Sequence, residues 1–295
     1  MHAQDDVILG QGRPVRHRST MHGCRLVYSL ILPNYNPGAG LEKTWHALCE
    51  FISRQTLPWE VLFVCDGSTD GSIEQLTQWC QDHRVGWCRV LSYTPNQGKG
   101  LAVRLGLQQA RGKIRVFTDV DLAYSFEDLL QVVDTVKRGS PVAIASREHP
   151  DSYALLPMSM VHHVSLRRVQ SHVFRSISRQ MIQLKYVDTQ AGLKAFSAEA
   201  AEKLVPYLSC KGFGFDCEVL LACERLDLTV TEVPVTVRYQ TAASTTSWKS
   251  SFQMLNQIWQ ISQRWKQGMP AMSKVPVVVH ETGWVAEARP AARAA

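Results

Sequence analysis

No run of the 295-residue chain is apolar over the roughly 20 residues that a bilayer-crossing helix requires. The polar, basic start also lacks the apolar core of a secretory signal. Both absences predict a protein that is not itself integral to a membrane. No C-x-x-C pair occurs among the eight cysteines (Cys24, Cys49, Cys65, Cys80, Cys88, Cys210, Cys217 and Cys223), and several fall within apolar periodic segments. That spacing argues against zinc sites and disulfides and predicts reduced, mostly buried thiols in a cytosolic setting. No RNA- or DNA-reading motif accompanies the basic residues, so nucleic acid is not an expected partner. Internal repeats are absent too.

What is present is a globular composition, 45% hydrophobic and 20% charged, with a net charge of +6. A basic surplus suits an anionic substrate or an anionic membrane surface. Residues 1–25 are polar and aperiodic and predict a flexible basic leader. Residues 269–295, ending Ala-Arg-Pro-Ala-Ala-Arg-Ala-Ala, predict a disordered tail. Residues 26–268 form the expected domain, divided by a change of pattern after Arg147 into one half over 26–147 and another over 148–268.

In the first half strand and helix signals alternate. Strands are expected at Leu26–Leu32, Val61–Val64, Cys88–Leu91, Ile114–Thr118 and Val142–Ala145, with helices between them, one capped by Asp70. This β-α-β rhythm predicts an α/β fold with a mostly parallel sheet covered on both faces. Ligands of such sheets bind beyond the carboxyl ends of the strands, so the loops after the strands are where chemistry is sought. After Arg147 the rhythm changes, with a helical stretch at Val164–Leu184 carrying Arg167, Arg168, Arg175 and Arg179, a short strand near Leu193–Phe196, two helices, a strand at Thr229–Val237 and an amphipathic helix at Phe252–Trp265.

Four post-strand loops carry candidate chemistry. Asp119-Val120-Asp121 places carboxylates at i and i+2, which point to one side of a strand end and suit Mg²⁺ or Mn²⁺. Two solvated turn acids would look the same. Asp66-Gly67-Ser68 offers a carboxylate for a base N–H and a hydroxyl for a ribose, or simply a capped turn. Pro33-Asn34-Tyr35-Asn36 offers an aromatic face to a nucleobase, or an ordinary loop tyrosine. Asn96-Gln97-Gly98-Lys99-Gly100, continuing to Arg104, makes an anion cradle at a helix start but lacks the spacing of a Walker loop.

Together these motifs resemble the family 2 glycosyltransferases of the GT-A fold, over about Leu26 to Met269. Later stretches narrow the resemblance. Asp188-Thr189-Gln190-Ala191-Gly192-Leu193-Lys194-Ala195-Phe196 is similar to the D-T-Q-C-G-F-K-L-F of dolichyl-phosphate glucosyltransferases, and Phe215-Asp216-Cys217-Glu218-Val219-Leu220 to their F-D-x-E-L-L. Ala145-Ser146-Arg147 is similar to the G-S-R of polyprenyl-phosphate sugar synthases. The resemblance implies that Pro33, Tyr35, Asp66 and Ser68 hold the nucleoside and that Lys99 and Arg104 face the diphosphate. It further implies that Asp119 and Asp121 bind the metal and that Gln190 lines the join between donor and acceptor. Arg147, Arg167 and Ser171 then grip an acceptor phosphate. Two departures touch nucleoside recognition: Pro37 stands where the family has Glu, and Cys65 where it commonly has a second acid.

The expected activity is inverting transfer of a hexose, with UDP-glucose as donor and a polyprenyl or dolichyl phosphate as acceptor. A phosphate monoester arrives largely dianionic and needs positioning and charge compensation, whereas a hydroxyl acceptor needs a general base, for which Asp216 is the candidate. The protein is expected in the cytoplasm, peripheral on the membrane face, the last helix providing tryptophans and basic residues for surface contact. The alternatives are a family 2 enzyme acting on a soluble or polysaccharide hydroxyl, a sugar-phosphate nucleotidyltransferase, and a non-catalytic nucleotide-sugar-binding protein.

Overall fold

The computed structural model describes residues 6–7, 27–83, 85–155, 184–238, 248–270 and 277–282. The expected leader apart from Asp6–Val7, the expected tail beyond 282, the helix at 164–184 up to 183, and with it Arg167 and Ser171, lie outside the described residues.

The elements are β1 (Asp6–Val7), β2 (Tyr28–Asn34), α1 (Gly40–Ser53), β3 (Trp59–Asp66), α2 (Ser72–Asp82), β4 (Cys88–Tyr93), α3 (Lys99–Gln109), β5 (Ile114–Phe117), α4 (Phe126–Lys137), β6 (Val142–Ser146) and β7 (Tyr153–Leu155). After the undescribed segment come β8 (Lys194–Ser197), α5 (Ala198–Leu204), α6 (Phe215–Arg225), β9 (Val230–Pro234), β10 (Thr236–Arg238), α7 (Trp248–Lys266) and β11 (Val279–Thr282). They build a nine-stranded sheet in the order β1-β11-β4-β3-β2-β5-β8-β6-β9, with a separate pair β10-β7.

Strand residues are apolar on both faces because both are covered. Ile31, Leu62 and Val64 join one core with α3, α5, α6 and α7, while Leu30, Leu32, Val61 and Phe63 join the other with α1, α2 and α4. At the centre β2 pairs in parallel with β3 on one side and β5 on the other. There the strand order reverses, the place beyond the strand ends where ligands of such sheets bind. Pro33 is a buried strand residue opposite Val64. Pairing with β5 has already ended at Ile31, so the missing proline N–H breaks no bond on that side.

The short strand β8 runs antiparallel to both β5 and β6, with Lys194 opposite Phe117. Two expectations are refined. Thr229–Val237 divides, β9 joining the main sheet and β10 pairing with β7. Val279–Thr282, inside the expected tail, forms β11 against β4 and receives β1, from the expected leader, on its far side. Arg89 on β4 fixes it by donating Nε to Glu281 Oε1 at 2.6 Å and Nη2 to Oε2 at 3.1 Å, and it also reaches buried Glu60 at 3.0 Å.

Candidate active site

The loops after β2, β3, β4 and β5 meet as the topology requires, but several of their polar groups serve one another. Asn36 sits at φ 46° and laces two loops together. Its N–H donates to Ser68 Oγ at 3.2 Å, and its Oδ1 accepts from Thr69 N at 2.8 Å. Asp70 is not the cap residue of α2. Gly71 holds that position, and Asp70 accepts from Ser72 N and Gly38 N, each at 3.1 Å. These bonds hold its carboxyl below the usual range against the opposing effect of its modest burial. Tyr35, just beyond the end of β2, is 54% exposed.

Asp66, expected at the nucleoside, is 3% exposed and accepts from Gln97 N at 2.6 Å, Gly98 N at 2.7 Å and Asn96 Nδ2 at 3.0 Å. Its carboxylate thus builds the turn before α3. In the expected anion cradle, Gln97 N and Gly98 N serve Asp66, and Gly100 N donates to Lys211 O at 2.7 Å. Gly98, at φ 103°, and Gly100 permit this packing, since a Cβ on either would lie 2.4 or 2.3 Å from the carbonyl of Lys211 or Cys210. Arg104 is buried within α3, and burial lowers its pKa to about 10. Five residues along a helix put it on a different face from Lys99.

Lys99 itself reaches the acidic motif. Its Nζ is 2.5 Å from Asp119 Oδ1 and 4.0 Å from Asp216 Oδ2. Burial opposes the charged form of Lys99, but the two carboxylates outweigh it and raise the pKa. The two acids of D-V-D stand in a turn beyond β5 and not on the strand itself. Leu122 N donates to Asp119 O at 3.0 Å, Leu122 adopts φ 49°, and Thr44 Oγ1 ties Val120 O at 2.7 Å. Partial burial and the neighbouring charge of Asp119 raise the Asp121 carboxyl above the usual range. A pair of hard oxygen donors whose charges oppose each other is the donor set a divalent ion relieves, and the residues fit one.

The segment before β8 closes on this turn. Asp188 is fully buried and accepts from Arg147 Nε at 2.7 Å, Arg147 Nη2 at 2.9 Å and Arg147 N at 2.9 Å. Burial opposes ionisation, but this bidentate partner prevails and brings the Asp188 pKa down to about 2. Arg147, expected at the acceptor, is thus fixed on Asp188 at the start of the D-T-Q stretch. Gln190 donates its backbone N–H to Asp188 Oδ1 at 3.2 Å and reaches Met254 of α7 through Nε2 at 3.4 Å. Gly192 abuts the acidic turn: a Cβ there would meet Asp119 Oδ2 at 2.3 Å and Lys99 Nζ at 3.6 Å.

Asp216 sits in the first turn of α6, 5% exposed, with Oδ1 accepting from Lys194 Nζ at 2.6 Å. Its Oδ2 lies 4.0 Å from Lys99 Nζ, so the candidate base is a mostly buried carboxylate between two ammonium groups. Glu218, two residues on, accepts from Ser209 N and Cys210 N at 2.9 and 2.7 Å and pairs with Arg264 of α7. The sequence alone does not single out Lys194, Gly192 or Asp188 beyond the D-T-Q-A-G-L-K motif. A lysine inside an apolar strand and a glycine just before it are the signals that point to them.

The architecture is of the GT-A type. The solved structure of glucosyl-3-phosphoglycerate synthase from Mycobacterium tuberculosis superposes with a TM-score of 0.58, at 19% identity, covering 88% of this chain and 89% of that one. Its complex with uridine diphosphate gives 0.55, at 19% identity over 81% and 80%. At that identity the likeness speaks for the fold. Residues 29–205 match the family model for glycosyl transferase family 2, and the chain belongs to that family. It is 31% identical over 227 residues to the dolichyl-phosphate beta-glucosyltransferase of Saccharomyces cerevisiae, covering 70% of this chain and 65% of that protein. Against the dolichyl-phosphate beta-glucosyltransferase of Drosophila melanogaster it is 31% identical over 221 residues, covering 71% and 66%. The match thus spans just under two thirds of these relatives' length.

Proposed function

We propose that this chain transfers glucose, with inversion, from UDP-glucose to a polyprenyl or dolichyl phosphate. The observation that carries the reading is the convergence on Asp119. Lys99 pairs with it, Asp121 follows it in the same turn, and Gly192 of the D-T-Q-A-G stretch closes over it. The relatives named dolichyl-phosphate beta-glucosyltransferases support the sugar and the acceptor.

In this reading Tyr35 stacks on the base, and Ser68 and the laced loop around Asn36 border the ribose. Lys99 meets the diphosphate. Asp119 and Asp121 would hold Mg²⁺ or Mn²⁺, which would supply positive charge against the departing nucleotide. An oxygen of the acceptor phosphate forms a bond to the anomeric carbon while the bond to the β-phosphate oxygen breaks, and the nucleoside diphosphate leaves with the electron pair. No proton need be removed, because a phosphate monoester with a second pKa of about 6 arrives largely dianionic. The buried Asp216 is consistent with a reaction that uses no base. Arg167 and Ser171 contact the acceptor phosphate, and Arg147 orients the Asp188–Gln190 turn beside it. The protein works as a peripheral enzyme on a cytoplasmic membrane face, with exposed Trp259 and Lys266 of α7 toward the lipid. No helix among the described residues is long and apolar enough to cross a membrane.

The test is incubation with a panel of UDP- and GDP-sugars, Mn²⁺ and a short-chain polyprenyl phosphate, read by mass spectrometry. Glucosyl-phosphoryl-polyprenol formed from UDP-glucose is the expected product. Transfer to soluble hydroxyl acceptors, with none to the phosphate, would overturn the acceptor assignment.

A further inference from the structure

Lys194 is fully buried, with a charged end far from bulk water. Desolvating an ammonium costs several kcal/mol, and an apolar side chain of similar size fills such a space without that cost. The site compensates the charge closely. Lys194 Nζ donates to Asp216 Oδ1 at 2.6 Å and to Ala191 O at 2.5 Å, and it lies 5.7 Å from the centre of the Phe117 ring. These contacts join three parts of the site: α6 through Asp216, the turn before β8 through Ala191, and the end of β5 through Phe117.

The charges form an alternating row, Lys194–Asp216–Lys99–Asp119, with successive separations of 2.6, 4.0 and 2.5 Å. Lys99 therefore stands between two carboxylates and is held on the nearer. The further one already has a cation of its own. Without the Lys194 ammonium, Asp216 would be a buried carboxylate with Lys99 as its nearest cation, and Lys99 would be drawn off Asp119 toward it. Ala191 O would lose its donor in the same step, loosening the turn that sets Gly192 against Asp119.

We propose that Lys194 is a positioning residue for the donor site: by satisfying Asp216 and Ala191 it keeps Lys99 at Asp119, where the nucleotide phosphates meet it. This rests on the nucleotide-sugar reading above. The chain is direct, since each link is an ion pair or hydrogen bond between named atoms. A filler role for Lys194 would act on stability alone and would be indifferent to Lys99.

The experiment measures UDP affinity by calorimetry with Mn²⁺, with GDP in parallel, and far-UV circular dichroism for each protein. Lys194→Met is expected to weaken UDP binding about tenfold, and by less than about twofold when Lys99→Met is already present, because the two act through one another. Lys194→Met/Asp216→Asn removes both buried charges. It is expected to return UDP affinity to within about threefold of wild type, since Lys99 then has no competing carboxylate. Unchanged affinity in Lys194→Met, an equal loss in the Lys99→Met background, or a folded double variant that stays about tenfold weak each overturns the proposal. If Lys194→Met alone does not fold, the double variant decides. A wild-type protein that binds neither nucleotide overturns the function proposed above instead, so the two failures are distinct.

Discussion

Gly192 leaves room that Asp119 occupies, since a Cβ there would fall 2.3 Å from Oδ2. Gly192→Ala must therefore displace the carboxylate or the turn. A misplacement of that size near reacting groups costs about a hundredfold in rate, so transfer should fall by that order with an unchanged circular dichroism spectrum. Turnover within about threefold of wild type would separate Gly192 from the site. Asp188 supplies a stability prediction. Its folded pKa of about 2 lies below the ordinary 3.8, so its stabilisation is fully present above pH 3.8 and is lost as pH falls toward 2. At ~1.36 kcal/mol per pKa unit the loss is about 2 kcal/mol. Urea titrations of wild type and Asp188→Asn across that window should show the acid-sensitive slope in the former and a flatter one in the latter; equal slopes would contradict the Arg147–Asp188 pairing. The sequence marks both residues only as members of a motif. Asp188 meets Arg147 across 41 positions, and nothing local in either segment announces the contact. Asp66 shows the same limit: its engagement by Gln97 and Gly98, 31 and 32 positions away, is invisible to spacing.

Among the elements, the strands and helices of the first half were readable because their periodicity is local: apolar runs of four to eight residues are broken by Gly, Pro, Asn and Asp. Strand direction is not local. Nothing within Lys194–Ser197 says that β8 runs against β5, yet that reversal brings Gly192 beside Asp119. The strand β11 escaped notice because it is four residues long and its anchoring partner, Arg89, lies 192 positions away. Arg89 is mostly buried and shared between Glu60 and Glu281. Arg89→Ala leaves Glu60 buried without its cation, which should destabilise the fold by about 3–5 kcal/mol in urea unfolding. A change below about 1 kcal/mol would mean that β11 is held by other contacts.

Across the whole molecule, a parallel centre with helices on both faces gathers the loops after β2, β3, β4 and β5 at one edge, where the strand order reverses between β2 and β5. The D-T-Q and F-D segments reach that edge through β8 and α6, and Lys194 and Lys99 join their charges to the D-V-D turn. Everything proposed for this fold depends on Asp119 and Asp121 binding a divalent ion together with the donor diphosphate. The most direct measurement is calorimetric titration of UDP into wild type and Asp121→Asn, each with Mn²⁺ and with chelator. Tight binding by wild type only when Mn²⁺ is present, and weak binding by the variant in both conditions, is the predicted result. Equal UDP affinity in all four titrations would contradict it.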